Sequence, residues 1–236
     1  MKKILARIIR KRNPDFDWDA ELDSRDLLAF LFLQTGRLLR GQTFWLRGRR
    51  PRLMLREQGV RFEYLHRIQW GRFLKLGRQV RLSALGRAGI VLGNHVGIGA
   101  YSQLVASTAL NDIGAGIRIG HNVGIGEYAY LGGAGGLDIG DECIIGQYFS
   151  CHPENHCFHD LNLPIRRQGV SRQGIRIGQN CWIGSKVTIL DGATIGNGCV
   201  IAAGAVITGG IFPDNCVIGG VPARVLKHRE KVSIEA

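Results

Sequence analysis

Long apolar runs are missing from this chain. The longest, Leu27-Leu28-Ala29-Phe30-Leu31-Phe32-Leu33, falls far short of the ~20 residues that a bilayer-spanning helix needs. A leader of the secretory type is not expected either, because Arg7 interrupts the apolar stretch that follows Lys2 and Lys3 before an h-region develops. Cysteine pairs are also lacking. Cys143, Cys151, Cys157, Cys181, Cys199 and Cys216 form no CxxC motif, and a chain of 236 residues can bury a core without disulfides. They read as reduced thiols of a cytoplasmic protein. Acidic side chains are scarce where basic ones are dense. Residues 1–90 hold 21 Lys and Arg against 8 Asp and Glu, whereas residues 91–236 hold 10 against 11. Glycine runs the other way, with 8 before residue 91 and 26 after it. Two segments of different physics therefore share one chain of globular composition.

What the second segment has is a period. From Ile177 an aliphatic residue returns at every sixth position, at Ile183, Ile189, Ile195, Ile201 and Ile207. Four residues after each of the first five comes a compact one: Cys181, Val187, Ala193, Cys199, Ala205. Glycine follows the aliphatic residue at Gly178, Gly184 and Gly196. The same phase runs through Ile113, Ile119, Ile125 and Leu131, slips by two residues, and resumes at Ile139 and Ile145; a weaker version covers Leu76, Leu82, Leu92, Ile98 and Leu104. A period of six fits neither a helix nor an ordinary alternating strand. It fits short strands joined by turns, three to a triangular coil, stacked at the ~4.8 Å spacing of paired strands. The fold class is thus mainly β, a parallel β-helix whose aliphatic position points inward.

Between Cys151 and Ile177 the period vanishes. An irregular excursion of this length in a solenoid is expected to be functional, and it gathers His152, His156 and His159. Pro153 keeps the three off a helix. The residues alone leave three readings open: loop histidines on the surface, ligands of a metal, or a general base. An imidazole with an unperturbed pKa of ~6.5 can take the proton of an attacking hydroxyl near neutrality.

The stretch His152-Pro153-Glu154-Asn155-His156-Cys157-Phe158-His159-Asp160, then Pro164-Ile165-Arg166 with Gln168-Gly169, then Asn180-Cys181-Trp182-Ile183-Gly184, and the ending Gly219-Gly220-Val221-Pro222-Ala223-Arg224-Val225 resemble the hexapeptide-repeat acyltransferases, and among them the sugar and polysaccharide O-acetyltransferases. The resemblance covers residues 76–226 and implies a left-handed parallel β-helix. It implies acetyl-CoA as acyl donor, no metal, a sugar or glycan acceptor, and a homotrimer with the active groove between subunits. It places the catalytic base at His156, because Asn155, Phe158 and Asp160 match around it, with His152 as the alternative selected by a His-Pro form of the motif. By the same positional matching, Ser185, Ala203 and Thr208 meet the donor's arm, Arg224 and Lys227 lie near its nucleotide, and Trp182, Asp160 and Tyr128 face the acceptor. The loop after Thr208 reads Gly209-Gly210-Ile211, where the family usually carries a lysine. A metalloenzyme like the γ-carbonic anhydrases, which use the same fold, and a non-catalytic β-helix scaffold are the competing functional readings.

Residues 1–75 lie outside the repeat and are expected to form a basic, partly helical cap; residues 76–226 form the β-helix with its insertion near 152–174, and 227–236 a tail. Asp15, Asp17, Asp19, Glu21, Asp23 and Asp26 surround an N-cap, with Ser24 opening a helix through Leu39. After it, Arg37, Arg40, Arg47, Arg49, Arg50, Arg52 and Arg56 interleave with Phe44, Trp45, Leu46, Leu53 and Leu55. That mixture predicts either a solvated cap or peripheral contact with an anionic membrane at its inner face. No nucleic-acid motif accompanies it.

Overall fold

The computed structural model describes residues 2–10 and 15–230. Strands of a few residues follow one another around three faces, and each pairs in parallel with its image one coil away. The first face begins at Leu55–Arg56 and ends at Cys216–Gly220, against which Ala223–His228 returns antiparallel. The second face runs from Arg61–Glu63 to Val206–Ile207, and the third from Ile68–Trp70 to Gly210–Phe212. Registers repeat without slippage: Ile125 stacks on Ile98 and Ile145, Leu131 on Leu104 and Cys151, Ile139 on Ile119 and Ile177. This is the parallel β-helix that the six-residue period predicts, in the left-handed form that the resemblance implies.

The period sets the interior directly. Leu76, Ile98, Ile125, Ile145, Ile183, Ile201 and Ile218 form one buried ladder down the first face. The compact position fills the corners: Cys143, Cys181, Cys199 and Cys216 succeed one another along the corner before the first face, all buried and unpaired. Their thiols donate to carbonyl oxygens of the next coil, Cys143 to Gly178 at 3.2 Å and Cys199 to Pro213 at 3.2 Å. All four are sealed from solvent and none forms a disulfide, so this column fills space. Glycine after the aliphatic position serves close approach. A Cβ at Gly184 would stand 2.5 Å from the Ala203 nitrogen, and one at Gly178 2.7 Å from that of Asn197, distances that no side chain tolerates. The left-handed turn residues are instead mostly non-glycine, Tyr128, Tyr148, Asn180 and Lys186 among them.

Two boundaries differ from the sequence-based expectation. The coil starts at Leu55, one turn ahead of residue 76, because Leu55–Arg56 pairs with Lys75–Leu76. Terminal coils meet the cap on one side, so their sequence departs from the repeat and hides them. Ile113, which falls in phase, is not part of a ladder; Ile117 and Ile119 are. The segment between Val105 and Ile117 leaves the prism as a second excursion.

The N-terminal region is partly helical, as expected. Helix α1 spans Lys2–Arg10 and α2 spans Ser24–Gln42. The cap of α2 is Asp23, one residue before Ser24: its carboxylate accepts from the Asp26 N–H at 2.8 Å while Asp26 accepts from the Asp23 N–H at 3.2 Å, satisfying donors that a helix start leaves free. After α2 a tight turn drives Phe44 into the open end of the prism, edge-on to Phe62 and Trp70 at 4.8 and 5.5 Å between ring centres. Burying such a ring stabilises by about 2–3 kcal/mol, and it gives the first coil the neighbour it would otherwise lack.

Candidate active site

Both excursions leave the prism at the corner between the second and third faces, and this shared corner builds the site. In one coil the chain departs after Gln103–Val105 and returns at Ile117–Ile119. In the next it turns tightly through Gly132, Gly133, Ala134, Gly135 and Gly136. In the one after that it departs following Ser150–His152 and returns at Ile175–Ile177. The tight glycine turn is a floor between two walls. A Cβ at Gly135 would run into the Pro153 carbonyl oxygen, so the floor must stay bare for the longer excursion to lie over it.

The walls are tied together by one side chain. The Arg172 guanidinium reaches Asp112 of the first excursion at 2.8 Å and Glu154 of its own at 2.6 Å; this pairing raises its pKa although partial burial opposes it. The return of the longer excursion is anchored by the buried Asp191, whose carboxylate accepts from the N–H groups of Gln173 and Gly174 at 2.8–3.0 Å. Its outer part is closed by Gln168, which donates to the carbonyls of Asp160 and Leu163 and accepts from the Asp160 N–H.

Between these walls lies a cavity of about 340 Å³, lined by Ser107, Thr108 and Ala109 on one side, Tyr130 and Gly132 below, and His152, Glu154, His156 and Arg172 on the other. Two of the three predicted histidines thus meet in one place. His152 ends its strand on the second face and stacks on Tyr130 at 5.4 Å. Its side chain is exposed at the rim, and the desolvation it does undergo holds its pKa below the ordinary imidazole value, which favours the neutral form near pH 7. His156 sits on Asn155–His156, paired antiparallel with Val170–Ser171, and lines the same cavity from the excursion itself. A neutral imidazole beside a cavity can accept a proton, and a carboxylate–guanidinium pair can orient a polar guest.

Other predicted residues fall elsewhere. Asp160 does not line the cavity; its carboxylate accepts from the Asn162 N–H at 2.8 Å and shapes the loop. Tyr128 belongs to a ladder of stacked rings, Tyr101–Tyr128–Tyr148, at the corner between the first and second faces, spaced 5.2 and 5.1 Å. Ser185 and Ala203 lie at that same corner, in consecutive coils, where the Ser185 hydroxyl donates to Gln147 at 2.9 Å and its carbonyl accepts from the Gly204 N–H. Trp182 is exposed on the outer first face between Ile144 and Val200. Thr208 is exposed just after Val206–Ile207, and Arg224 and Lys227 stand on the terminal returning strand. The imidazoles and the Ser185–Ala203 row therefore occupy different corners, separated by on the order of 15 Å of strand. Tyr130, Glu154, Arg172 and the Ser107–Ala109 wall escaped the sequence reading. The failure of the period between Val105 and Ile117 was the available signal, masked by Ile113. Among the described residues no three His, Cys, Asp or Glu groups cluster as metal ligands.

Residues 174–209 match the bacterial transferase hexapeptide family, described by six repeats. The chain is 33% identical over 94 residues to a probable acetyltransferase of Mycobacterium tuberculosis, covering 40% of this chain and 31% of that protein. It is 33% identical over 66 residues to a putative lipopolysaccharide biosynthesis O-acetyl transferase of Escherichia coli, covering 28% of this chain and 33% of that one. The chain thus spans about a third of the length of these curated relatives. Among solved structures, a mutant N-acyltransferase from Bacillus cereus in complex with dTDP and coenzyme A superposes with a TM-score of 0.51 at 22% identity, covering 66% of this chain and 84% of that one. That likeness is one of fold.

Proposed function

We propose that this hexapeptide-repeat chain is an acyltransferase that moves an acetyl group from acetyl-CoA to a hydroxyl of a sugar or surface-glycan precursor. The observation that carries the reading is the convergence of His152 and His156 on one cavity walled by two excursions and tied by Arg172. The acetyltransferase names of both curated relatives support the acyl group, and the polar lining suits a hydroxyl-rich guest. Six unpaired thiols, five of them buried, suit a reducing compartment and hence a cytoplasmic enzyme.

The acceptor hydroxyl attacks the thioester carbonyl carbon as His156, the residue selected by the motif, takes its proton. The oxyanion is held by a donor at the Ser185 corner, the carbon–sulfur bond breaks, and the proton passes to the departing CoA thiolate. General-base assistance of this kind is worth about 10²–10⁴ in rate, and a well-placed oxyanion donor about 3 kcal/mol. His152, neutral and oriented by Tyr130, is the second imidazole in reach.

A single chain leaves the imidazoles and the Ser185–Ala203 row on separate corners, which is the arrangement a homotrimer completes by setting one chain's excursion against its neighbour's groove. The excursion's apolar tip supports this: Phe158, Leu161, Leu163 and Ile165 are exposed, Leu161 by 96%. The test is release of free thiol from acetyl-CoA with a panel of sugars and amino sugars, alongside the mass of the assembly in solution. Turnover should need a hydroxyl acceptor and fall about 10²–10⁴-fold in His156→Ala. If His156→Ala keeps full turnover while His152→Ala loses it, the base is His152. Acetylation of amino sugars alone would overturn the hydroxyl acceptor, and an active monomer would overturn the shared groove.

A further inference from the structure

Helix α2 is apolar on two sides. Its positions at Leu27, Leu31, Gln34, Leu38 and Gly41 are buried or half-buried: Leu27 lines a cavity with Leu5 and Ile9 of α1, and further along Gln34 and Gly41 face the coil. A second stripe, about 120° round the helix from the first, where a surface helix is ordinarily polar, carries Leu28, Phe32 and Leu39, of which Phe32 is 80% exposed and Leu39 64% exposed. The turn that follows adds Trp45 at 61% and Leu46 at 90%. Over residues 27–56 there are seven arginines and no acidic residue. Among the described residues only Arg37 of the seven is neutralised by an ion pair, with Glu57 at 2.5 Å.

We propose that α2 and the following turn rest on an anionic lipid surface, with Phe32, Leu39, Trp45 and Leu46 entering the interface and the exposed Arg47 and Arg50 meeting the headgroups, while Arg40, Arg49, Arg52 and Arg56 donate to backbone carbonyls and supply positive charge behind them. Charge complementarity decides the occupant. A second copy laid on this face would bring its own seven arginines into opposition with these, a repulsion that anionic lipid turns into attraction. Span is excluded as the mode of contact, since no described helix is long and apolar enough to cross a membrane; the apolar stripe is of the depth that lies in the headgroup boundary. Arginine with exposed tryptophan and leucine is also the composition that anchors at this depth, because the ring and guanidinium each tolerate a half-wet site.

The test is flotation of the full chain with phosphatidylcholine vesicles, with and without phosphatidylglycerol. The chain should partition onto the anionic vesicles only, and added salt should release it as the Debye length shortens. The double variant Phe32→Ser, Leu46→Ser should weaken partitioning about tenfold or more. Arg47→Gln and Arg50→Gln should each cost about fivefold. Brominated lipid should quench tryptophan emission in the parent chain and less in Trp45→Phe. All these positions are solvent-facing, so unchanged thermal unfolding serves as the folding control. Equal partitioning onto neutral vesicles, or none onto anionic ones, overturns the proposal. So does loss of a sedimenting oligomer in Phe32→Ser, Leu46→Ser without any change in lipid binding, which would assign the face to contact between copies.

Discussion

The coil and its N-terminal cap satisfy their polar groups to different degrees. In the coil, the buried polar side chains are paired: Ser102 bridges the Gly126 carbonyl and the Ala129 N–H, and Asp191 takes three bonds. Among the described residues, the buried side-chain polar atoms without a partner are Trp18 Nε1, Gln42 Nε2, Arg56 Nε and Trp70 Nε1, all in the cap or the first coil against it. Burial and the nearby Arg47 and Arg40 lower the pKa of Arg56 as well. A repeating coil places every turn in the surroundings of the turn before it, so one satisfied arrangement is copied along the axis. The cap has no such template and must fit a single end, where an orphaned donor costs about 1–3 kcal/mol.

The largest blow to the coil should come from Phe149→Ala, which empties a fully buried corner position and should cost about 3–5 kcal/mol in denaturant unfolding. A loss no greater than that of an exposed substitution would show the coil to be as loosely built as the cap. Next, Gly41→Ala acts where α2 crosses the chain, since a Cβ there would strike the Met54 carbonyl oxygen. It should cost about 1–3 kcal/mol and speed amide exchange in α2 while leaving coil amides protected. Uniform acceleration would mean that cap and coil unfold as one unit. Arg172→Met should cost about 1–2 kcal/mol, because the two carboxylates it leaves are partly solvated; acyl transfer should fall more than stability, as the walls come apart. In the cap, Gln42→Leu should be neutral or stabilising by up to ~1 kcal/mol, since it removes a donor that has no acceptor. The smallest effect concerns His152. Its folded pKa lies below its unfolded one, so the unfolded chain takes the proton first and stability declines as pH falls through ~6.5. Replacing His152 by Phe should flatten that slope in thermal unfolding between pH 7 and 5.

The legible part of the molecule is the part in which each residue meets its own equivalent. Ile183 rests on Ile145 and Ile201, so a period in the chain is a contact in space, and reading six-residue steps amounts to reading the ladder. The histidine excursion was visible for the complementary reason, as a failure of that period. Ile113 shows the limit of the arithmetic: it keeps phase yet lies in an excursion, because a phase that returns on schedule does not say whether the chain stayed on the prism meanwhile. The first coil escaped notice because Phe44, Phe62 and Trp70 supply its packing in place of the repeat.

Strand order, inward ladders and the location of the imidazoles were therefore encoded locally, in composition and spacing. The cavity was not. Arg172 finds Asp112 across 60 positions of chain only because two coils of constant register lay one excursion over the other, and the glycine floor joins them only once the prism has closed. The same holds for the apolar stripe of α2: the residues were plain in the chain, but which of its two apolar sides would face the coil was decided by where Phe44 could plug the open end.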